Sequence, residues 1–205
     1  MTAGIDRTCS TLVGTLSAGA ELRGAIRVGA VLLMAVLTAA AAQVSIPLPF
    51  TPVPFTLTPM VVLLGGAALG SRLGLSAQVL YLAAGVAGLP VFAPSGVLPP
   101  GPLRLLGPTG GYLMSYPLAA FVAGYLAERG FDRRYLTSVL AMAAGLAVIF
   151  TFGVLWLALF ARPTGVGIET AVRTGLVPFL PADLFKILLA AAIMPGLWRL
   201  IGRQV

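Results

Sequence analysis

The chain has 205 residues, 59% of them hydrophobic and only 9% charged, with a mean hydropathy of +1.01. A soluble globular domain carries about a quarter charged residues, so this composition specifies an integral membrane protein of a size that suits one helical domain. The formal charge of +7 does not point to nucleic acid, because the arginines punctuate the ends of apolar runs instead of gathering on a soluble segment.

Continuous apolar runs also argue against a membrane barrel, which needs alternating segments of about ten residues; strands are not expected. Histidine is absent and Cys9 is the single cysteine, which excludes a disulfide framework and a thiolate metal site.

Residues 1–27 make no convincing signal peptide, since Asp6, Glu21, Arg23 and Arg27 flank a weak core diluted by Thr, Ser and Gly. They read as a cytosolic tail, with a short surface helix or disorder as the alternatives. Residues 28–205 read as the transmembrane domain. Its apolar runs fall at about 28–46, 56–70, 73–89, 110–128, 136–160 and 176–198. A spanning helix takes roughly 17–25 residues. The second and third runs are short, and only Ser71 and Arg72 separate them, so they are either two helices or one interrupted helix. Positive charge favours two. With six spans and both termini in the cytosol, nine arginines fall inside and three (Arg104, Arg162, Arg173) outside; merging the two runs erases that bias. Trp156 and Trp198, near opposite ends of the last two spans, suit interfacial anchors or ordinary packing.

Span one carries Ala35 and Ala39. Small residues four apart permit close helix approach, either by a partner helix or within the bundle. Five prolines between residues 47 and 59 then forbid a helix and favour a stiff, extended backbone. Such a backbone cannot face lipid with its polar groups unpaired, and the loop is itself apolar at Ile46, Leu48, Phe50, Val53 and Phe55. It is expected to fold over the outer mouth of the bundle. The loop after span three is also proline-rich and external. It leads through Arg104 into Gly107-Pro-Thr-Gly-Gly-Tyr112, where Gly110 and Gly111 allow close backbone approach at a helix N-terminus that favours anionic or polar groups.

Span six holds Pro181-Ala-Asp-Leu-Phe-Lys186, with the only lysine in the protein. The i, i+3 spacing puts Asp183 and Lys186 on one helix face. Ionisable residues inside a span cost about 2.5–3.5 kcal/mol each on insertion scales and mark functional interiors by default; the plainer alternative is a self-neutralising structural pair. If the helix begins near Pro178, the two residues lie about 7 and 12 Å below its outer end at 1.5 Å per residue. One outward basin lined by the proline loop, Arg104, the Gly107–Tyr112 turn, Asp183 and Lys186 follows. Arg104 is equally readable as a loop charge or a headgroup contact.

Four stretches together closely resemble the BioY family, the biotin-specific substrate-binding subunits of energy-coupling factor (ECF) transporters. They are Val44-Ser-Ile-Pro-Leu-Pro-Phe-Thr-Pro-Val-Pro-Phe-Thr56, Gly88-Leu-Pro-Val-Phe-Ala93, Leu106-Gly-Pro-Thr-Gly-Gly-Tyr-Leu113 and Pro181-Ala-Asp-Leu-Phe-Lys186. The resemblance runs from about residue 28 to the end. It implies an all-α, six-helix bundle in a bacterial plasma membrane that captures biotin from outside, with biotin as ligand and no cofactor. It also implies partners: a transmembrane coupling subunit, docked through Ala35 and Ala39, and cytosolic ATPases. Ligand contacts are implied in the first loop, around Thr109, Gly110, Gly111 and Tyr112, and at Asp183 and Lys186. Phe50, Phe55, Phe92 and Tyr112 suit the apolar walls of a biotin pocket, and either Lys186 or Arg104 suits its carboxylate. The chain departs from the family pattern at Thr58, usually Gln, at Ala182, commonly Gly, and in the loop stiffened by Pro94, Pro99, Pro100 and Pro102. That altered loop leaves Arg104 the least secure of these correspondences.

Other function classes fare worse. An intramembrane enzyme lacks a histidine, a membrane cysteine or a carboxylate pair. No phosphate-cradling loop exists, because Phe185 precedes the one lysine. A transporter for another small carboxylated solute or vitamin, acting without ATPase partners, is the remaining alternative.

Overall fold

The computed structural model describes residues 11–17, 23–95, 98–161 and 165–201. The expectations for Arg7, Cys9 and most of the N-terminal tail lie outside the described residues, as do Arg162 and Arg203 from the topology count. Among the described residues the chain is helical throughout, apart from its loops and one minimal ribbon. The elements are α1 (Leu12–Ser17), α2 (Arg23–Gln43), β1 (Ser45–Ile46), β2 (Phe55–Thr56), α3 (Thr58–Leu69), α4 (Ser71–Val86), α5 (Leu103–Leu106), α6 (Gly110–Ala127), α7 (Tyr135–Leu159), α8 (Ile168–Gly175) and α9 (Leu180–Ile201).

By length and composition, three helices can cross a membrane: Arg23–Gln43, Tyr135–Leu159 and Leu180–Arg199. The first begins at Arg23, ahead of the boundary expected at residue 28. Helices α3 and α4 have 12 and 16 residues, about 18 and 24 Å at 1.5 Å per residue. They are separate. Gly70 joins them with φ +88°, in the left-handed region that glycine alone enters freely. They then pack so closely that a Cβ on Gly74 would sit 2.9 Å from Gly66 Cα. The interrupted-helix alternative is therefore set aside.

Helix α6 is the hub, in contact with α3, α4, α5 and α7. Its Ala119, Ala120, Ala123 and Ala127 are fully buried. Lipid offers no hydrophobic drive between helices, so small residues that let backbones meet supply the packing. Glu128, just past α6, caps α4 from outside its own chain segment: its Oε1 accepts from the backbone N–H and the hydroxyl of Ser71, each at 2.8 Å. The short helix α1 packs on α2 and α3 with Leu12 buried, so it is not a free surface helix.

The two tryptophans anchor neighbouring segments of the protein. Trp156 Nε1 donates to Gly107 O at 3.0 Å, and Trp198 Nε1 donates to Asp132 Oδ2 at 2.6 Å. Asp132 lies in the turn between α6 and α7 and is buried. Desolvation pushes its pKa up, partly opposed by the Trp198 bond.

Two expectations are corrected here. Strands do occur: Ser45 pairs with Thr56 and Ile46 with Phe55, antiparallel. The ends of an extended loop must satisfy their N–H and C=O groups, and pairing with each other does so. The apolar side chains of that loop are also not uniformly buried. Val53 is buried and Leu48 and Phe55 half-buried, but Ile46 and Phe50 stay exposed. The alanine pair of α2 turns inward as well. Ala35 is buried in the main core and Ala39 packs against it, while Leu33, Val36 and Leu37 form the open face.

Candidate functional site

The site begins with α9. Its first turns carry Asp183 and Lys186, whose side chains are only 7% and 8% exposed. Lys186 Nζ donates to Asp183 Oδ1 at 2.7 Å and to the backbone carbonyl of Thr56 at 2.6 Å. It also lies 3.6 Å from the centroid of the Phe55 ring, a cation–π contact strengthened by desolvation. The lysine therefore ties α9 to β2, at the end of the proline loop. A buried ion pair is tolerable only when its remaining donors find partners, and here the loop backbone provides one.

Other bonds fix the remaining walls. Thr51 Oγ1 donates to Thr174 O at 2.7 Å, pinning the proline loop to α8. Tyr112 OH donates to Gly175 O at 2.8 Å, pinning α6 to the same helix. Gln43 Nε2, at the end of α2, donates to Pro90 O at 3.1 Å and Phe92 O at 3.3 Å. These bonds draw the second proline-rich loop over the bundle and set the buried ring of Phe92 edge-on to Tyr81, 5.4 Å between centroids.

Between these elements lies a cavity of about 570 Å³. Of the expected site residues it brings together Asp183, Lys186, Arg104, Thr109, Tyr112 and Phe92. Arg104 sits in α5, its Nε donating to Pro99 O at 3.3 Å, and partial burial lowers its pKa from the usual guanidinium value. An arginine so placed stays charged.

Four expected residues stand elsewhere. Phe50 points away, 60% exposed. Phe55 backs the lysine and does not form the wall. Gly110 and Gly111 pack at the α6–α7 contact: a Cβ on Gly111 would overlap Trp156 and the Phe152 carbonyl, and one on Gly110 would overlap the Leu105 carbonyl. The glycines thus permit the close packing of α6 against α5 and α7.

Sequence reasoning missed Tyr81, Tyr116, Phe150 and Phe179, which also line the cavity. The available signal was the polar groups within apolar runs: Gln78 and Tyr81 one turn apart on α4, and Tyr116 on α6. Gln78 is fully buried, and its Nε2 donates to Thr38 Oγ1 at 3.1 Å. Among the described residues, no three of His, Cys, Asp and Glu gather as a metal site requires.

The cavity thus offers mostly apolar walls, a carboxylate and an ammonium at one place and a guanidinium at another. Such a site takes a compact, amphipathic solute with a polar head and an anionic group.

Comparisons with known proteins place this geometry in context. The biotin transporter BioY of Thermotoga maritima is 38% identical over 132 residues, which cover 64% of this chain and 73% of that protein. The probable biotin transporter BioY of Pyrococcus horikoshii is 41% identical over 133 residues, covering 64% and 72%. The crystal structure of the S-component for biotin from an ECF-type ABC transporter superposes with a TM-score of 0.76. That match covers 88% of this chain and 94% of the other at 23% identity, a likeness of fold. The model of the BioY family matches residues 15–203, and the chain belongs to that family.

Proposed function

We propose that this membrane protein is the substrate-specific subunit of an ATP-driven ECF transporter, and that it captures biotin from outside for uptake. The observation that carries the reading is the cavity of about 570 Å³ with the buried Asp183–Lys186 pair in its wall, in a chain of the BioY family. Biotin is an apolar bicycle with a ureido head and a carboxylate tail. Asp183 Oδ2, the oxygen not bonded to Lys186, accepts a ureido N–H. Arg104, in a different part of the wall, takes the carboxylate. Tyr112, Phe92 and Phe150 enclose the bicycle. Thr109 borders the carboxylate end.

The proposed topology has six spans (α2, α3, α4, α6, α7 and α9) in a bacterial plasma membrane, with both termini cytosolic. The proline loop then covers the outer mouth, and residues 1–27 lie at the cytosolic side. Nine arginines inside against three outside support this orientation. Cysteines introduced one at a time in a Cys9→Ser background test it. One at Phe50 should react with a membrane-impermeant maleimide in intact cells, and one at Arg72 only after permeabilisation. The reverse pattern contradicts the orientation.

The chain has no phosphate-cradling GxxxxGK[ST] loop, so active uptake takes either partners or an ion gradient, and membership of the BioY family favours partners: a transmembrane coupling subunit and cytosolic ATPases. Calorimetric titration of the purified protein with biotin, and separately with lipoate, tests the substrate. One equivalent of biotin bound, with lipoate silent, is expected. Binding of another carboxylated solute in preference to biotin contradicts the reading.

A further inference from the structure

Four buried side-chain atoms among the described residues have no hydrogen-bond partner: Gln78 Oε1, Tyr81 OH, Asp132 Oδ1 and Ser138 Oγ. Of the four residues, Tyr81 is the one that lines the cavity. Its side chain is 1% exposed, held edge-on against Phe92 at 5.4 Å and beside Tyr116 at 6.4 Å between ring centroids. A phenol sealed away from water without an acceptor is costly, and native structures rarely keep one without reason. The neighbouring tyrosine of the same cavity makes the contrast plain, since the Tyr112 hydroxyl is fully engaged with Gly175 O at 2.8 Å.

We propose that Tyr81 is a ligand-recognition residue, whose unpaired hydroxyl donates to an acceptor oxygen of the bound solute. The inference rests on the biotin reading and extends it: Asp183 is an acceptor for the N–H of a cyclic urea, and Tyr81 supplies a donor for its carbonyl oxygen. Phe92 and Tyr116 pack against the ring that carries that donor, and a small turn of the ring about its side-chain torsions presents it to the cavity. The arrangement selects for ring solutes that carry a strong acceptor beside an N–H. It converts an unpaired buried hydroxyl into binding specificity, because a site with an unpaired polar group rejects solutes that cannot pair with it.

Tyr81→Phe tests this directly, since it removes one oxygen and keeps the ring. Two readouts are taken on the purified protein: the unfolding midpoint without ligand, and the affinity for biotin by calorimetry. Deleting an unpaired buried hydroxyl should leave the midpoint unchanged or raised, while biotin affinity falls about tenfold. A midpoint that falls with affinity unchanged overturns the inference and makes the hydroxyl a structural group. Wild-type affinity at an unchanged midpoint overturns it too. If the wild-type protein itself binds no biotin, the substrate reading has failed. The Tyr81 inference is then tested with the solute that does bind, and equal affinity of Tyr81→Phe and wild type for it overturns the inference.

Discussion

Lys186 Nζ sits 2.6 Å from the carbonyl oxygen of Thr56 and 2.7 Å from Asp183 Oδ1, joining residues 130 positions apart in the chain. One ammonium therefore holds the proline loop to α9 and also pairs with the carboxylate in the cavity wall. The same ammonium makes both contacts, one to the loop over the cavity and one to the carboxylate in its wall.

The two halves of the pair should respond differently to mutation. Lys186→Ala strands a buried carboxylate and releases the Thr56 carbonyl. Breaking a buried pair in this way costs about 3–5 kcal/mol, so a clear drop in the unfolding midpoint is expected together with a loss of biotin binding of more than tenfold. Asp183→Asn keeps an oxygen acceptor for the lysine, and the lysine keeps Thr56. It should lower biotin affinity tenfold or more with a smaller drop in midpoint than Lys186→Ala. Calorimetry and thermal unfolding in the same detergent separate the two effects; equal midpoints for both variants would contradict a stabilising role for the Lys186–Thr56 bond.

Glu128 serves as the N-terminal cap of α4. With both bonds to Ser71 at 2.8 Å, Glu128→Ala should destabilise the protein by about 0.5–2 kcal/mol, the usual worth of a helix cap. Glu128→Gln keeps one acceptor and should recover most of that loss in thermal unfolding.

Asp132 carries a pH dependence of stability. Its pKa in the folded protein is raised above the ordinary 3.8, first by burial. Between these two values the folded state binds more protons than the unfolded one, so this group's contribution to stability falls as pH rises through that window. Asp132→Asn can still accept from Trp198 and has no charge to desolvate. It should equal or exceed the wild type in unfolding midpoint at pH 7, and its advantage should shrink towards pH 4.

Helix α2 offers a test of which face is free. Ala35 is 9% exposed and Val36 is 64% exposed. Ala35→Trp should overpack the core, at a cost of about 1–3 kcal/mol, and lower the unfolding midpoint. Val36→Trp should leave midpoint and biotin affinity unchanged. If co-purification with the coupling subunit is lost only in Val36→Trp, the docking face is the open one and not the alanine pair.

Much of the architecture is readable from the chain because lipid imposes simple rules. Apolar length marks the spanning-type helices to within a few residues, and arginine placement separates α3 from α4, which Gly70 joins. Asp183 and Lys186 stood out because charge is so rare in the runs around them. What escaped was set by tertiary contact. Gly110 and Gly111 have the same sequence signature whether they approach a ligand or a helix, and only the position of Trp156 decides. Ala35 and Ala39 permit close packing without naming the partner. Phe50 lies in a turn of the proline loop and Phe55 in β2, and nothing in their sequence context says which of the two faces inward. Tyr81 lay hidden in an apolar run because a tyrosine there is ordinary; only its missing hydrogen bond singles it out.

The most direct test of the account is the mass spectrum of the small molecule that stays with the protein through gentle purification from biotin-fed cells. The account predicts biotin at close to one equivalent in the wild type and its loss in Asp183→Asn. A different solute in the wild type, or biotin retained undiminished in Asp183→Asn, would contradict it.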